Sequence, residues 1–321
     1  MEVIRGTANL KKKFNIPVMT IGNFDGIHLG HQKIFKEVRK RSSELKGDSI
    51  VYTFEPHPLN ILFPNKKVTL ITSFTEKIRL IEKLGIEIVI CEEFTHEYAN
   101  LSPREFVNDI LMEKIGVKAV FVGHDYAFGK GRKGNIVTLE RLGKEFGFEV
   151  HVVDAVRVDD VLVSSTKIRD TIQKGDVKKV AGLLGRNYSI SGKVGRGKER
   201  GKGLGFPTAN LESVEEIHPK PGIYVVNVCY KDHLYQGVVN IGYSPTFADN
   251  ALSIEVHILD FNKDIYGEEV KISFVERLRD EKTFDGPEAL VEQIKKDVEM
   301  TRRMFDELYI KNSLSTPDPL M

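Results

Sequence analysis

The chain has 321 residues, of which 41% are hydrophobic, and a formal net charge of +1. This length favours two domains, and the apolar content is ample for two cores. The near-neutral charge excludes a general electrostatic attraction to nucleic acid or to anionic membranes, so neither is expected as a partner.

The first predicted unit is a strand, a glycine turn and a helix. Strand-like Val18 to Ile21 precedes the run Gly22-Asn23-Phe24-Asp25-Gly26-Ile27-His28-Leu29-Gly30-His31, and helical spacing follows over Gln32 to Leu45. Such a turn points N–H groups and the positive end of a helix dipole at a phosphate. His28 and His31 lie on roughly one face, but a capping pair or a zinc pair is also compatible with this spacing, although no further Cys/His cluster lies nearby.

The same alternation continues through the first half of the chain. It predicts a parallel sheet with helices on both faces, which binds ligands at the carboxyl ends of its strands. The predicted strands are Val18 to Ile21, Ile50 to Phe54, Ile86 to Ile90, Ala119 to Val122 and Phe148 to Val153. The predicted helices include Lys77 to Leu84, Pro103 to Ile115 and Val137 to Phe146.

Three further polar segments follow these elements. His57, in Glu55-Pro56-His57-Pro58, comes directly after a strand and is either a ligand or a turn histidine. Asp125, in the run 123–129, follows another strand and could bind substrate or metal. In 164–169, the three hydroxyl residues either cap a helix or meet a phosphate, with Arg169 supplying positive charge.

Beyond Leu184 the pattern changes to period two. Segments Tyr224 to Tyr230, Leu234 to Ile241, Ser253 to Leu259 and Glu269 to Val275 alternate in polarity, and Glu288 to Leu308 is helical. This predicts an antiparallel sheet or small barrel closed by a helix. We therefore expect domains at 1–184 and 185–310, followed by a disordered tail at 311–321 that is rich in Ser and Pro.

The stretch Gly192 to Gly205 nearly matches a phosphate-binding Walker A loop. That interpretation is excluded because Glu199 stands where Ser or Thr binds magnesium, and further glycines follow where a helix should begin. A basic glycine-rich loop remains, which by itself indicates a linker or a nucleic-acid-binding loop. Its cations are Lys193, Arg196, Lys198, Arg200 and Lys202.

The motifs of the first half resemble the nucleotidylyltransferase superfamily, specifically the adenylyltransferase module of bacterial bifunctional riboflavin kinase/FAD synthetases. The resemblance implies that His28, His31 and Arg169 stabilise the charge of the departing pyrophosphate. It also implies an ATP site formed by Gly22, Phe24, Asp25, Gly26, His28, Gly30, His31, Ser164, Ser165, Thr166 and Arg169, and a flavin or substrate site formed by His57, Pro58 and Asp125. Tyr126-Ala127 stands where the family pattern has Phe-Arg.

The second half resembles riboflavin kinases. Phe206-Pro207-Thr208-Ala209-Asn210 is similar to their Pro-Thr-Ala-Asn motif, which implies that Thr208 and Asn210 bind Mg²⁺. The resemblance implies that Glu255 accepts the proton of the riboflavin 5′-hydroxyl, although it is also the polar face of an amphipathic strand. The implied ATP residues are Gly192, Lys193, Gly195, Lys198, Gly203, Gly205, Pro207, Thr208 and Asn210, and the implied flavin contacts are Arg279 and Phe284.

The resemblance implies that riboflavin and ATP give FMN in the second domain, and that FMN and ATP give FAD in the first. Two alternatives are a nucleotidylyltransferase of another substrate class, which the kinase motifs argue against, and a flavin-sensing or RNA-binding regulator without turnover. Cys91 and Cys229 lie in different predicted domains, which disfavours a disulfide framework. Without a signal peptide or a membrane span, a cytoplasmic enzyme is expected.

Overall fold

The computed structural model describes residues 1–66, 68–196, 203–212, 214–243 and 252–314, with side chains through residue 310. The chain forms two compact units. The first comprises Met1–Ile168 and Leu183–Gly185, and the second comprises Arg169–Gly182 and Arg186–Met321. The predicted boundary between residues 184 and 185 stays a prediction.

The first unit contains a six-stranded sheet whose neighbouring strands are all parallel, in the order β1-β4-β3-β2-β5-β8. The strands are β1 Glu2–Arg5, β2 Val18–Ile21, β3 Ser49–Phe54, β4 Ile88–Glu92, β5 Ala119–Gly123 and β8 Glu149–Val153. Two short antiparallel pairs are β6 Ala127–Phe128 with β7 Gly134–Asn135, and β9 Arg157–Val158 with β10 Val161–Leu162.

Both faces of this sheet are buried. Met19 and Tyr52 belong to one apolar cluster, whereas their neighbours Val18 and Val51 belong to a second cluster. Because successive strand residues point to opposite faces, the two clusters lie on opposite sides of the sheet. This explains why β2 to β5 have nearly continuous apolar sequences, as is typical of a parallel sheet with helices on both faces.

The helices of this part of the chain match most of the predicted ones. They are α1 Leu29–Leu45, α2 Pro58–Leu62, α3 Phe74–Lys83, α4 His96–Ala99, α5 Pro103–Glu105, α6 Ile136–Phe146, α7 Ser165–Gln173 and α8 Val177–Leu184. The chain continues from α5 as a π-helix over Phe106–Ile115. Short 3₁₀ turns occupy Thr7–Asn9, Pro64–Lys66 and Lys130–Arg132.

The second unit contains a closed antiparallel barrel with the strand order β11-β12-β15-β14-β13-β16. Its strands are β11 Ser189–Gly195, β12 Ala209–Glu212, β13 Gly222–Tyr230, β14 His233–Tyr243, β15 Leu252–Ile258 and β16 Glu269–Arg279. Closure leaves this sheet without an unpaired edge. Residues 169–182 belong to the same unit, where the Lys178 ammonium lies 3.1 Å from the Glu276 carboxylate.

The last helix, α9, spans Pro287–Leu314. Its last four residues, 311–314, fall within the stretch expected as a disordered tail, so the helix extends beyond the expected start of that tail. The first proline of the tail, Pro317, comes only after these residues, and a proline restricts chiefly the residue before it. Residues 315–321 lie outside the described residues.

The predicted fold class is confirmed, because a parallel α/β sheet is followed by an antiparallel barrel and a helix. Among the described residues, β1 of the six-stranded sheet and β11 and β12 of the barrel were missed, as were the four short strands β6, β7, β9 and β10. In particular, Gly192 to Gly195 was assigned to a loop but forms the end of β11. Its glycines concealed the period-two pattern, although Gly192 is buried and an added Cβ there would lie 2.8 Å from the Glu212 carbonyl oxygen.

Candidate functional sites

The motifs of the first unit lie where the order of its sheet reverses. From β2 the chain proceeds outward through β3 and β4, and then returns to the other side of β2 as β5. The histidine motif follows β2, His57 follows β3 and Asp125 follows β5. Parallel α/β sheets bind ligands in the crevice that such a reversal opens at their carboxyl ends.

The two histidines of the motif are held at the first turn of α1. His28 is the N-cap residue, and its Nδ1 accepts a hydrogen bond of 3.3 Å from the His31 N–H. The two rings stack with centroids 3.5 Å apart, and the Phe24 ring packs edge-on against His31 at 5.1 Å. His28 therefore caps the helix, which was one of the alternatives that the sequence left open. The capping holds both rings beside the N-terminus of this 17-residue helix.

Gly30 and Gly22 leave room for these rings. An added Cβ at Gly30 would lie 3.1 Å from the His28 ring, and one at Gly22 would lie 2.9 Å from the Phe24 ring. The glycines of the motif therefore serve ring packing within the turn, in addition to the close approach of a ligand that the sequence indicates.

Asp25 is buried and braces the turn from within. Its carboxylate accepts hydrogen bonds from the N–H groups of Ile71 and Thr72 at 3.0 to 3.1 Å. Gly26 adopts φ +87°, and an added Cβ would lie 3.1 Å from Ile71. The predicted ATP contact of Asp25 stays a prediction, and the carboxylate has a structural role of its own.

The hydroxyl segment approaches the same turn through Ser165, whose Oγ donates a 2.9 Å hydrogen bond to the Asp25 carbonyl. Ser164 Oγ accepts from the Lys167 N–H at 3.2 Å, which is the capping contact expected at the start of α7. Thr166 lies in the first turn of that helix. Arg169 belongs to the second compact unit, so its predicted role beside the histidines stays a prediction.

The remaining residues predicted in this unit lie on turns after strands. His57 is buried and caps α2, its Nδ1 accepting from the Leu59 N–H at 3.2 Å, with Pro58 as the first helical residue. Asp125 is exposed in the turn between β5 and β6. An added Cβ at Gly123 would lie 3.4 Å from the Asp125 Oδ1.

A buried lysine, which the sequence patterns did not single out, lies beneath these strand ends. Lys77 on α3 is only 6% exposed, and its Nζ lies 3.5 Å from both the Asn23 and the Phe54 carbonyl oxygens. Burial lowers the pKa of its ammonium, an effect that Glu55, Cys91 and Asp25 oppose. In the sequence, Lys77 occupies a helix position where a core residue is expected, and this spacing is the only sequence feature that indicates its burial.

In the barrel, the register aligns Gly195, Asn210, Glu255 and Asn240 across four consecutive strands. Residues directly opposite in antiparallel strands project from the same face, with Cβ atoms about 5 Å apart. The Pro-Thr-Ala-Asn motif and the predicted base, which are 45 residues apart in sequence, are therefore direct neighbours. Thr208 lies immediately before β12, two residues from Asn210.

Two side chains on β15 hold this arrangement. The Ser253 hydroxyl donates a 2.9 Å hydrogen bond to Oε1 of Glu255. Nδ1 of His257 lies 2.8 Å from the Pro207 carbonyl and therefore donates to it, and the His257 ring packs against Phe206. Neither residue was predicted. The period-two alternation of β15 places Ser253 and His257 on the same face as Glu255, and this alternation could have identified them as its neighbours.

The glycine-rich stretch is only partly described. Lys193 and Gly195 lie on β11, and the Glu212 side chain occupies the position that a Cβ at Gly195 would take. Gly203 and Gly205 precede β12 and have open space around their Cα atoms, and Gly205 adopts φ +83°. Lys198 lies outside the described residues.

The predicted flavin contacts flank the end of β16. The Arg279 guanidinium makes a double hydrogen bond to Asp297 on α9, at 3.0 and 2.7 Å, and donates to the Asp280 carbonyl. Phe284 is half-buried in the segment between β16 and α9. Contacts of these residues with a flavin stay predictions.

Comparison with known proteins finds a matching family model for each half of the chain. The family model described as FAD synthetase matches residues 10–167, and the one described as riboflavin kinase matches residues 184–305. Bifunctional riboflavin kinase/FMN adenylyltransferases from Buchnera aphidicola (strain APS) and Listeria monocytogenes are 36% and 38% identical, covering 95% and 91% of this chain and 99% and 93% of theirs.

The chain belongs to the bifunctional riboflavin kinase/FMN adenylyltransferase family. The Escherichia coli K12 member is 34% identical over 95% of this chain and 98% of its own. A solved structure titled macrolide-efflux protein, from Streptococcus pneumoniae, has a TM-score of 0.85 at 31% identity, covering 94% of this chain and 99% of that one. The family expected from the motifs of both halves is therefore confirmed.

In the part of the chain that the structure describes, no helix is long and apolar enough to cross a membrane. Within the same residues, there is no group of three or more His, Cys, Asp or Glu side chains arranged to hold a metal. An ion that depends on substrate phosphates needs no such group.

Proposed function

We propose that the two units of this bifunctional family member catalyse consecutive reactions. The barrel transfers the γ-phosphate of ATP to the 5′-hydroxyl of riboflavin, which gives FMN and ADP. The unit with the parallel sheet transfers AMP from a second ATP to FMN, which gives FAD and pyrophosphate. The observation that carries the kinase assignment is the direct pairing of Asn210 with Glu255.

The barrel face supplies a base and oxygen ligands. Glu255 accepts the proton of the 5′-hydroxyl, whose oxygen attacks the γ-phosphorus while the bond to ADP breaks. Ser253 orients the Glu255 carboxylate through Oε1, which leaves Oε2 for the substrate. The backbone of the glycine-rich stretch, including Gly195, covers the phosphates.

Thr208 and Asn210 fit a magnesium ion. Both offer hard oxygen atoms and both are half-buried beside Glu255, and a bound ion would take its other ligands from water and phosphate. When bound, Mg²⁺ neutralises phosphate charge during the transfer.

Adenylyl transfer requires positioning more than proton transfer, because the FMN phosphate is already a nucleophile. It attacks the α-phosphorus of ATP, and the bond to pyrophosphate breaks. His28 and His31, fixed at the N-terminus of α1, bind the phosphate chain together with the helix dipole. Arg169 and the hydroxyls of 164–166 add charge and hydrogen bonds, and His57 and Asp125 contact the flavin substrate.

The proposed division places the adenylyltransferase at 1–184 and the kinase at 185–310, in a cytoplasmic enzyme that does not bind nucleic acid. The basic residues around Lys193 bind ATP, so their charge is explained without a nucleic-acid partner.

The test is to incubate the protein with riboflavin, ATP and Mg²⁺ and to separate the flavins by chromatography. We expect FMN to appear first and FAD to follow. Absence of FMN would exclude the kinase. FMN without FAD would exclude the adenylyltransferase, and tight flavin binding without any product would indicate a regulator.

A further inference from the structure

Lys77 places a buried ammonium between two strand ends. Its Nζ lies 3.5 Å from the Asn23 carbonyl oxygen, just after β2, and 3.5 Å from the Phe54 carbonyl oxygen, at the end of β3. Both distances are at the long end of the hydrogen-bonding range. The ammonium is therefore shared between two carbonyl dipoles, one in the histidine motif and one in the strand that leads to His57.

The packing of α3 does not require a charge at this position. Leu80 and Ile81, three and four residues beyond Lys77, are buried in the apolar cluster that also contains Phe24. Residues at this spacing lie on one face of a helix, so a methionine at position 77 would extend the apolar stripe. A buried ammonium instead loses hydration that two long contacts replace only in part. The reason for the lysine must therefore lie in what its ammonium holds.

Side chains continue the connection between β2 and β3 beyond the strands themselves. Just past β2, the Gly22 N–H still donates to the Tyr52 carbonyl at 3.0 Å. One residue further, the Asn23 carbonyl accepts a 3.2 Å hydrogen bond from the Thr53 hydroxyl and also lies beside the Lys77 ammonium. Two donors from different elements therefore fix the direction of this carbonyl.

The direction of the Asn23 carbonyl matters because the next residue has an unusual backbone. Phe24 adopts φ +49°, a left-handed conformation that is rare for a bulky side chain and costs free energy. Such a conformation persists where surrounding contacts over-determine it. Its φ angle is the rotation about the bond between the Asn23 peptide group and the Phe24 Cα. Donors that hold this carbonyl therefore also hold the direction of the Phe24 side chain.

The Phe24 ring in turn packs against the histidines. It is only 3% exposed and lies edge-on to the His31 ring at 5.1 Å and to the Phe35 ring at 4.9 Å. The His31 ring stacks on His28. A contiguous series of contacts thus leads from the Lys77 ammonium to the two rings that the proposed function places at the phosphates.

The segment that contains Lys77 contacts the motif at a second point. Just before α3 begins, the N–H groups of Ile71 and Thr72 donate to the Asp25 carboxylate at 3.0 to 3.1 Å. The turn is thus attached to residues 71–77 through one carboxylate and one ammonium. Loss of the ammonium alone would leave the Asp25 attachment in place, so it should shift the turn without unfolding it.

We propose that Lys77 is a positioning residue for adenylyl transfer, an inference that rests on the proposed adenylyltransferase function. Its ammonium holds the Asn23 carbonyl and thereby Phe24, and the contact with Phe54 holds the end of β3 to the same turn. The Phe24 ring keeps the His31 imidazole at the phosphate chain of ATP. A misplaced imidazole would stabilise the departing pyrophosphate less well, whereas substrate binding would change little.

The experiment compares Lys77→Met, which has a similar shape and no charge or donor, with the control Lys114→Met. Lys114 lies in the same unit, but its ammonium is 3.2 Å from the Thr7 hydroxyl. Conversion of added FMN to FAD is measured with the full-length protein. Because a misplacement of about 1 Å can cost about a hundredfold in rate, we expect Lys77→Met to lower kcat about ten- to a hundredfold. The Michaelis constants for ATP and FMN should change less than about threefold, and Lys114→Met should behave like the unmodified protein.

Three further measurements separate positioning from a loss of structure. Thermal unfolding of Lys77→Met should show no loss of stability, because the variant removes a buried charge. Formation of FMN from riboflavin, the proposed reaction of the other unit, should be unchanged in the same variant. In protein labelled at histidine, the imidazole NMR resonances of His28 and His31 should shift in Lys77→Met and stay in place in Lys114→Met.

Several results would overturn the proposal. An unchanged kcat for FAD formation in Lys77→Met would show that the ammonium is not needed, and a raised Michaelis constant for FMN alone would show that it supports the flavin site instead. A lowered kcat with unmoved histidine resonances would show that the effect does not pass through the His31 ring. A parallel loss of stability or of FMN formation would show a general structural defect. Failure of the adenylyltransferase function itself is recognised separately, because the unmodified protein would then convert no FMN to FAD.

Discussion

Asn210 and Glu255 face each other across the antiparallel strands β12 and β15. Because the pair joins the predicted metal ligand to the predicted base, loss of the Asn210 amide oxygen should weaken Mg²⁺ binding at the kinase site. We expect Asn210→Ala to raise the Mg²⁺ concentration for half-maximal FMN formation about tenfold or more. Titration of FMN formation with Mg²⁺ checks this, and Asn227→Ala, on the same barrel, should leave the midpoint in place. Equal midpoints for both variants would remove Asn210 from the metal site.

Gly26 provides a second prediction, because it combines positive φ with close packing against Ile71. An alanine there would incur about 1–2 kcal/mol from the left-handed backbone, and a further 1–3 kcal/mol from overpacking. Urea unfolding of Gly26→Ala should therefore show a larger loss of stability than Gly131→Ala, since Gly131 has φ +61° but nothing within 4 Å of an added Cβ. Similar losses in the two variants would mean that the Ile71 contact is unimportant.

Burial lowers the pKa of Lys77 below the ordinary value of 10.5, so the folded state disfavours its charged form. Between the lowered pKa of Lys77 in the folded state and 10.5, the unfolded chain binds more protons than the folded chain. In that pH interval Lys77 therefore makes the free energy of unfolding rise with pH. Lys77→Met should consequently stabilise the first unit at neutral pH. The gain should shrink as pH rises toward 10.5, which thermal unfolding at a series of pH values can measure. A gain that is independent of pH would contradict a role of the buried charge.

Arg279 and Asp297 form a buried ion pair, with 15% and 9% of their side chains exposed, and Gln293 also donates to Asp297. Removing one partner of such a pair leaves an uncompensated charge and costs about 3–5 kcal/mol. Asp297→Ala should therefore destabilise the barrel unit strongly. Asp260→Ala, which breaks an exposed double contact with Arg302, should have a much smaller effect. Comparable unfolding midpoints for the two variants would be inconsistent with this difference.

Much of the fold follows from the sequence, because buried parallel strands and amphipathic helices have strong patterns. Strand Val18–Ile21 was predicted with its observed bounds. The edge strand Glu2–Arg5 was missed since only one of its sides is paired and most of its residues are exposed. Strand Ser189–Gly195 was missed because its glycines contribute no side chain to the alternation.

The chemistry-bearing residues were found mainly through motifs, and their supporting residues were not. The contacts of Ser253 and His257 follow from the cross-strand register, which depends on residues distant in sequence. Lys77 occupies an ordinary core position on its helix, and only the packing reveals a buried ammonium beneath two strand ends.

If the two units contain independent active sites, two variants assayed on both reactions should separate them. Glu255→Ala should abolish conversion of riboflavin to FMN and leave conversion of added FMN to FAD intact. His28→Ala should lower FAD formation by at least about a hundredfold, the scale of losing a transition-state charge contact, and should still produce FMN. Equal damage to both reactions by each variant would mean that the two reactions do not have separate sites.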